Sequence, residues 1–293
     1  MTGAREADRS GARHRLAACL AQVPTAPEID PDFQRQLAEI LHDEVPELAG
    51  RLAEIDRDVH RNGYHLGPAC GIESMPPSVQ VRLAVAMAAA IASPARIGGS
   101  NLVAWDVTPG PDLAGHQPGN VSTTDGEAVL HTDSAFSDRP EDLFGLWCLR
   151  PAERGGASVQ VDARDLVHRL LRTPQGAAAV TLLRAHDVPV DTGEPEVRWV
   201  RTITDDVVRL RPDLTMRGFA RTAHGRDDEL VQAFNHFSRA LREAAGAPIF
   251  VPAGHVLVVD NHRLVHGRTT FSDPRRHLLR IRMTGRPVLE WQS

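Results

Sequence analysis

The 293-residue chain contains no lysine, and all 33 of its Lys/Arg positions are arginine. That absence removes the P-loop lysine, the kinase lysine and the Schiff-base lysine of pyridoxal enzymes and aldolases. No G-x-G-x-x-G run is present, so the dinucleotide fingerprint is missing as well. Aromatic residues make up 4% of the chain and Tyr64 is the single tyrosine, which leaves little for base stacking. A net charge of −5 gives no electrostatic reason to expect a nucleic-acid partner. The three cysteines, Cys19, Cys70 and Cys148, are dispersed without C-x-x-C spacing. Such a set argues against a disulfide framework, a zinc knuckle or an iron–sulfur cluster. The longest apolar stretch, Leu83 to Ala92, is too short to cross a bilayer. The polar, Arg-rich start, Met1 to Arg15, lacks the apolar segment of a secretory signal. A cytoplasmic protein without a membrane partner is the expectation; oligomeric state is left open.

What is present reads as one domain over residues 1–293, with a helical layer over 1–62 and a strand-rich core over 63–293. The first twenty-odd residues suggest a frayed segment or a short helix. Phe33, Leu37, Ile40, Leu41, Val45, Leu48, Leu52 and Ile55 recur at helical spacing, and Pro46 divides the run into two helices. Pro77 to Ser93 reads as a further helix. Short apolar runs then follow, separated by Gly, Pro and Asp: Asn101–Val107, Ala128–Leu130, Leu143–Leu149 and Ala157–Val161. Val167–Ala185 reads as helix broken at Pro174, and Asp227–Ala245 as an amphipathic helix. The polar stretch 187–221 between them is expected to be an inserted lid. Strands are expected at Pro248–Val251, His255–Val259 and Leu278–Gly285. Strands at both ends of a long segment, with helices inserted and flanking, suit an α+β protein built on a jelly-roll barrel.

Two H-x-D/E runs occur, roughly the number that 14 histidines give by chance. His42-Asp43-Glu44 lies on a helical stripe, where positions i and i+2 diverge. His131-Thr132-Asp133 follows the apolar Ala128-Val129-Leu130, and on a strand i and i+2 share a face. A second apolar strand, Val256 to Val259, runs into a turn and then presents His266. Two imidazoles and one carboxylate on one face leave three open metal positions, the pattern of oxygen-activating non-haem iron. In Arg275-Arg276-His277-Leu278-Leu279-Arg280-Ile281-Arg282, alternation places Arg276, Leu278 and Arg280 on one face, with His277, Leu279 and Ile281 on the other. Guanidiniums facing a barrel interior call for anionic partners, and a carboxylate fits each fork.

These motifs resemble the clavaminate-synthase-like branch of the Fe(II)/2-oxoglutarate oxygenases, within the taurine-dioxygenase-like superfamily. The resemblance rests on His131 to Pro140, Leu146 to Pro151, Gly155-Gly156-Ala157-Ser158, Asp260 to Arg268 and Arg276 to Arg280 in that order, and it covers the chain from about Gly63 onward. It implies a double-stranded β-helix with iron on His131, Asp133 and His266. It also implies that Arg276 clamps 2-oxoglutarate with help from Ser158, Arg275 being the alternative clamp, and that Arg280 holds an anionic group of the substrate. Asn101, Trp105, Gln117 and Ser134 are candidate substrate contacts, while His255, His262 and His277 read as structural. The implied reaction consumes O2 and 2-oxoglutarate, hydroxylates an aliphatic C–H and releases succinate and CO2. Desaturation, epoxidation and cyclisation are alternative outcomes. Amino-acid hydroxylases of this branch often carry Glu where Asp133 stands, whereas halogenating relatives lose the carboxylate altogether. The implied substrate is an amino acid, a small peptide or a carrier-tethered amino acid of specialised metabolism. The absence of acids in Leu214–Arg221 disfavours a cationic side chain. Competing readings are a jelly-roll metallohydrolase or isomerase on the same triad, and a non-catalytic cupin-like binding protein.

Overall fold

Proline and short polar side chains set the helix boundaries. In the computed structural model, which describes residues 2–109, 125–205, 207–222, 224–225 and 228–288, the chain opens with α1 (Thr2–Gln22). α2 (Pro31–Glu44) begins where Asp30 accepts from the Asp32 N–H at 2.9 Å, with Pro31 in the first turn. α3 (Pro46–Asn62) starts at Pro46, as the sequence predicts, and stops at Gly63, whose φ of 81° suits only a residue without a side chain. α4 (Pro77–Ile91) is the Ala-rich run. Leu83 to Ala92 is buried throughout, so this run is a core helix rather than a membrane segment. Among the described residues no helix is long and apolar enough to cross a membrane.

Among the described residues, nine strands form two antiparallel sheets, apart from a separate two-stranded hairpin. β1 (Tyr64–Leu66), β9 (Val256–Asp260), β5 (Leu143–Arg150), β11 (His277–Thr284) and β2 (Ser93–Pro94) follow one another across the major sheet, and β3 (Ala104–Val107) also pairs with β11. The minor sheet runs β4 (Ala128–His131), β10 (Leu264–Arg268), β6 (Ser158–Asp162). Period-two alternation assigns the faces. On β9 and β5, Leu257, Val259, Phe144 and Cys148 point between the sheets, with Leu264 of the minor sheet. Val256, Val258, Trp147 and Leu149 point outward beneath α1–α4. β11 follows the same rule: Leu279, Ile281 and Met283 enter the helix-covered core, whereas Leu278 lies between the sheets. The outer side of the minor sheet packs Val161 and Val265 against α5 (Ala163–Leu170), α6 (Pro174–Ala185) and α8 (Glu229–Glu243). The result is the helix-flanked jelly roll that the motifs imply.

Three local expectations differ from the structure. The first segment is one long helix whose Leu16 and Leu20 are buried, not a frayed end. Pro248–Val251 contributes a single bridge, Ile249 to Ser158, rather than a strand. The stretch after the Asp260 turn is itself a strand, β10, because Asp260 Oδ1 accepts from the N–H groups of His262 and Arg263 and turns the chain tightly from one sheet to the other. The stretch 187–221 contains a hairpin of β7 (Asp187–Val190) and β8 (Arg198–Arg201), then α7 (Pro212–Arg221).

Ile281 is fully buried in the helix-covered core, in the strand that carries Arg280 and Arg282. Ile281→Ala is expected to cost roughly 2–5 kcal/mol, read as a lower urea midpoint at unchanged slope. A loss under about 0.5 kcal/mol would mean this face of β11 is not packed as described.

Candidate metal centre

Strand register lines up the first set of side chains. His131 ends β4 and lies opposite His266 on β10, which in turn lies opposite Gln160 on β6. Asp133 reaches the same place by a different route from the one alternation suggests. β4 stops at His131, and the next residues turn, with Ser134 at φ 49°. Thr132 is pinned to Leu210 by two 2.9 Å hydrogen bonds, its N–H donating to the Leu210 carbonyl and its hydroxyl accepting the Leu210 N–H. Asn261 fixes the following residue: its Oδ1 accepts the Asp133 N–H at 2.8 Å and its amide donates to the carbonyls of Asp133 and Glu141. One donor atom from each of His131, Asp133 and His266 then lies within 4.8 Å of the others, all three residues being buried.

Hydrogen bonding decides which nitrogens face inward. His131 Nδ1 donates to the Val129 carbonyl at 2.8 Å, which leaves Nε2 as the lone-pair nitrogen. Both Nε2 atoms stand 3.7 Å from Asp133 Oδ1, and His266 Nε2 is a buried atom with no hydrogen-bond partner among the described residues. Burial, reinforced by neighbouring His266, pushes the His131 imidazole down to about 3, so it is neutral at physiological pH. Burial alone would raise the Asp133 carboxyl, but the guanidiniums of Arg280 and Arg282 outweigh it and hold the group well below the usual range. Arg280 donates to Asp133 Oδ2, and Arg282 Nε donates to the same oxygen at 3.3 Å. Arg282 also faces Glu141 at 3.8 Å. Arg280 lies over the Phe144 ring at 4.5 Å, and both guanidiniums lie over Trp105. Two imidazole nitrogens and a carboxylate suit a divalent transition metal and are one ligand short of a closed zinc site.

Beside this cluster is a cavity lined by His131, His266, Ser158, Gln160, Arg276 and Arg280, among others. Its walls carry polar atoms without a hydrogen-bond partner among the described residues: Gln160 Nε2 and Oε1, Arg276 Nη1, Arg280 Nε and His266 Nε2. Buried polar atoms are seldom left unpaired, so their convergence on one cavity marks a site for a ligand rich in acceptors. Arg276 is 5% exposed, stacks 4.8 Å from the Phe271 ring and is pushed down to about 10 by burial and then by Arg268. Arg275 turns to the surface, where it bonds Asp273 and Glu153. Gly155 and Gly156, at φ 71° and 70°, let the chain pass close to the Thr270 carbonyl and to Arg276.

The remaining sequence candidates are scattered. Asn101 is exposed in the loop before β3, where its carbonyl accepts from Ile29, and Ser134 is half-buried in the turn after Asp133. Gln117 lies outside the described residues. His255, His262 and His277 bond Ala253, Pro140 and Asp106 and do not join the triad. Sequence reading passed over Gln160, Glu141, Asn261 and Arg282. Extending the β11 alternation one step would have reached Arg282, and the step from Ser158 along β6 would have reached Gln160. Nothing in the sequence pointed to Asn261.

Comparison with known proteins agrees with this geometry. Three of the solved structures similar in fold are oxygenases or complexes of them. Asparagine oxygenase in complex with Fe(II), 2S,3S-3-hydroxyasparagine and succinate superposes with a TM-score of 0.72 at 19% identity, covering 95% of this chain and 91% of that one. The non-heme iron oxygenase OrfP with Fe and alpha-ketoglutaric acid gives 0.68 at 17% identity, covering 94% and 92%. OrfP with Fe, succinate and (3S)-hydroxy-L-Arg gives 0.65 at 18% identity, covering 94% and 91%. A curated relative, 3-((Z)-2-isocyanoethenyl)-1H-indole synthase of Fischerella ambigua (strain UTEX 1903), is 26% identical over 212 residues, 61% of this chain and 72% of the relative. The model of the family described as Taurine catabolism dioxygenase TauD, TfdA family matches residues 104–282, more than half of the chain and every strand from β3 to the body of β11. The chain therefore belongs to the TauD/TfdA family and is a non-haem iron, 2-oxoglutarate-dependent dioxygenase.

Proposed function

We propose that His131, Asp133 and His266 hold Fe(II), that the adjoining cavity binds 2-oxoglutarate through Arg276 and Ser158, and that residues 1–293 form one oxygenase domain. The observation that carries this reading is the buried His–Asp–His cluster opening onto a cavity of unpaired donors. Iron, 2-oxoglutarate and O2 together supply an oxidant for an aliphatic C–H bond, with succinate and CO2 as co-products. The chain's own residues do the rest. Arg276 offers a bidentate fork to the distal carboxylate, and its stacking on Phe271 fixes the plane of that fork. Arg275 is occupied at the surface by Asp273 and Glu153, which favours Arg276 as the clamp. Neutral His131 and ionised Asp133 present the protonation states that a metal requires.

The substrate is an amino acid, a small peptide or a carrier-tethered amino acid, hydroxylated at an aliphatic carbon. Arg280 supports an anionic group on it: the guanidinium lines the cavity and its Nε has no hydrogen-bond partner among the described residues. The similar asparagine oxygenase and OrfP structures, whose complexes hold hydroxylated asparagine and arginine, support the amino-acid class.

His131→Ala is expected to abolish iron-dependent succinate formation while the chain stays folded; full succinate production by that variant would sink the metal assignment. Arg276→Ala should raise the 2-oxoglutarate requirement roughly 10- to 100-fold, the value of a charge-assisted bidentate contact, and an unchanged requirement would move the clamp elsewhere. The lowered His131 pKa also has a sign. Below its ordinary 6.5 the unfolded imidazole takes a proton that the folded one refuses until about 3, so the metal-free protein loses stability as pH falls through that window. The urea midpoint should drop between pH 7 and 5, and the drop should be smaller in His131→Gln. Equal drops in the two proteins would contradict the burial of a neutral His131.

A further inference from the structure

Gln160 is a polar side chain that the reading above leaves without a task. It sits on β6 directly across from His266, itself directly across from His131, so the three residues form one row over the minor sheet. Both amide atoms of Gln160 are buried, neither has a hydrogen-bond partner among the described residues, and the residue lines the same cavity as His131, His266 and Arg276. An amide with donor and acceptor both unmet in a closed wall is costly unless a ligand completes it.

The strand fixes which end of a ligand Gln160 meets. Ser158, two residues earlier on β6, lies opposite Arg268, and Gly156 just before it touches Arg276. Two residues of strand advance roughly 6.6 Å, a span that suits a five-carbon dicarboxylate. A keto acid laid along β6 thus has its distal carboxylate at the Ser158/Arg276 end and its keto-acid end beside His266. Nothing charged is needed at that second position, because the metal already neutralises the group there. A neutral donor orients the carboxylate without competing for it.

We propose that Gln160 is a co-substrate contact whose Nε2 donates to the C1 carboxylate of the keto acid, fixing the metal-binding end as Arg276 fixes the distal end. This rests on the 2-oxoglutarate reading of the cavity. Succinate is one carbon shorter, its second carboxylate standing at the position of C2, so it keeps the Arg276 contact and has no oxygen at the C1 position that Gln160 meets. The two residues are therefore separable by ligand.

The test is calorimetric titration, under argon, of 2-oxoglutarate and separately of succinate into the Fe(II)-loaded protein. The proteins are wild type, Gln160→Met, Gln160→Glu and Arg276→Gln, with Fe(II) affinity of each apo-protein as the check on folding and metal site. Gln160→Met, of similar length and apolar, is expected to weaken 2-oxoglutarate about tenfold, and Gln160→Glu to weaken it further by like-charge repulsion. Succinate affinity in Gln160→Met should stay within about twofold and Fe(II) affinity likewise, while Arg276→Gln weakens both ligands. Wild-type affinity for 2-oxoglutarate in Gln160→Met overturns the proposal. So does equal loss of 2-oxoglutarate and succinate in that variant, which would mark a merely structural amide. If Arg276→Gln leaves both ligands unaffected, the cavity reading itself fails and the Gln160 assignment falls with it.

Discussion

The site depends on how Asp133 divides its two carboxylate oxygens. Oδ1 faces the Nε2 atoms of His131 and His266 at equal distance, and Oδ2 receives Arg280 and Arg282. A buried carboxylate is costly to ionise, and here two guanidiniums offset that cost before any metal arrives. The same contacts orient the group: with Oδ2 held from behind, Oδ1 is the oxygen left for the ion. Arg282 is closed by a second carboxylate, Glu141, whereas Arg280 has one acceptor and a spare buried donor. The pair therefore divides its labour. Arg282 faces a carboxylate on both sides, and Arg280 lines the cavity with its Nε unpaired among the described residues.

The fold exists around this arrangement as a scaffold of unequal halves. The minor sheet supplies the imidazole row through register alone, because β10 lies between β4 and β6. The major sheet supplies the cations through β11, which lies between β5 on one edge and β3 on the other and turns its outward face into the helix-covered core. Arg280 and Arg282 face inward only because Leu279, Ile281 and Met283 must face outward into that core. A one-residue slip of β11 would reverse every one of those faces, so hydrophobic burial far from the metal fixes the position of the charges beside it.

Much of this was legible from residues. The alternation of β11, the helical stripe through α2 and α3, and the division at Pro46 all follow from periodicity, because burial on one face leaves a repeating mark. His131 and Arg276 are legible for the same reason, since each lies on or beside a strand that periodicity marks, whereas His266 is legible only as the histidine presented after the Val256–Val259 run and its turn. Asp133 was found on a partly mistaken ground. The pleat was credited with its direction, but β4 has ended by then, and Thr132, Leu210 and Asn261 do the holding. Those contacts join residues 78 and 128 positions apart in the sequence, and no local pattern encodes such closure. β10 was missed because Asp260-Asn261-His262-Arg263 reads as a polar loop, although two side-chain bonds make it a tight turn between sheets. Gln160 shares the face of Ser158 by alternation along β6, but a glutamine on a strand is ordinary until its partners are counted.

A chain of this kind holds both a ferrous ion and a keto acid in contact with it. Fe(II) and then 2-oxoglutarate added anaerobically to the metal-free protein should produce the visible iron-to-keto-acid charge-transfer band. That band should be absent when succinate replaces 2-oxoglutarate, because succinate lacks the keto group. If iron binds but 2-oxoglutarate gives no band, the arginine-lined cavity does not receive a keto acid beside the metal, and the central claim is wrong.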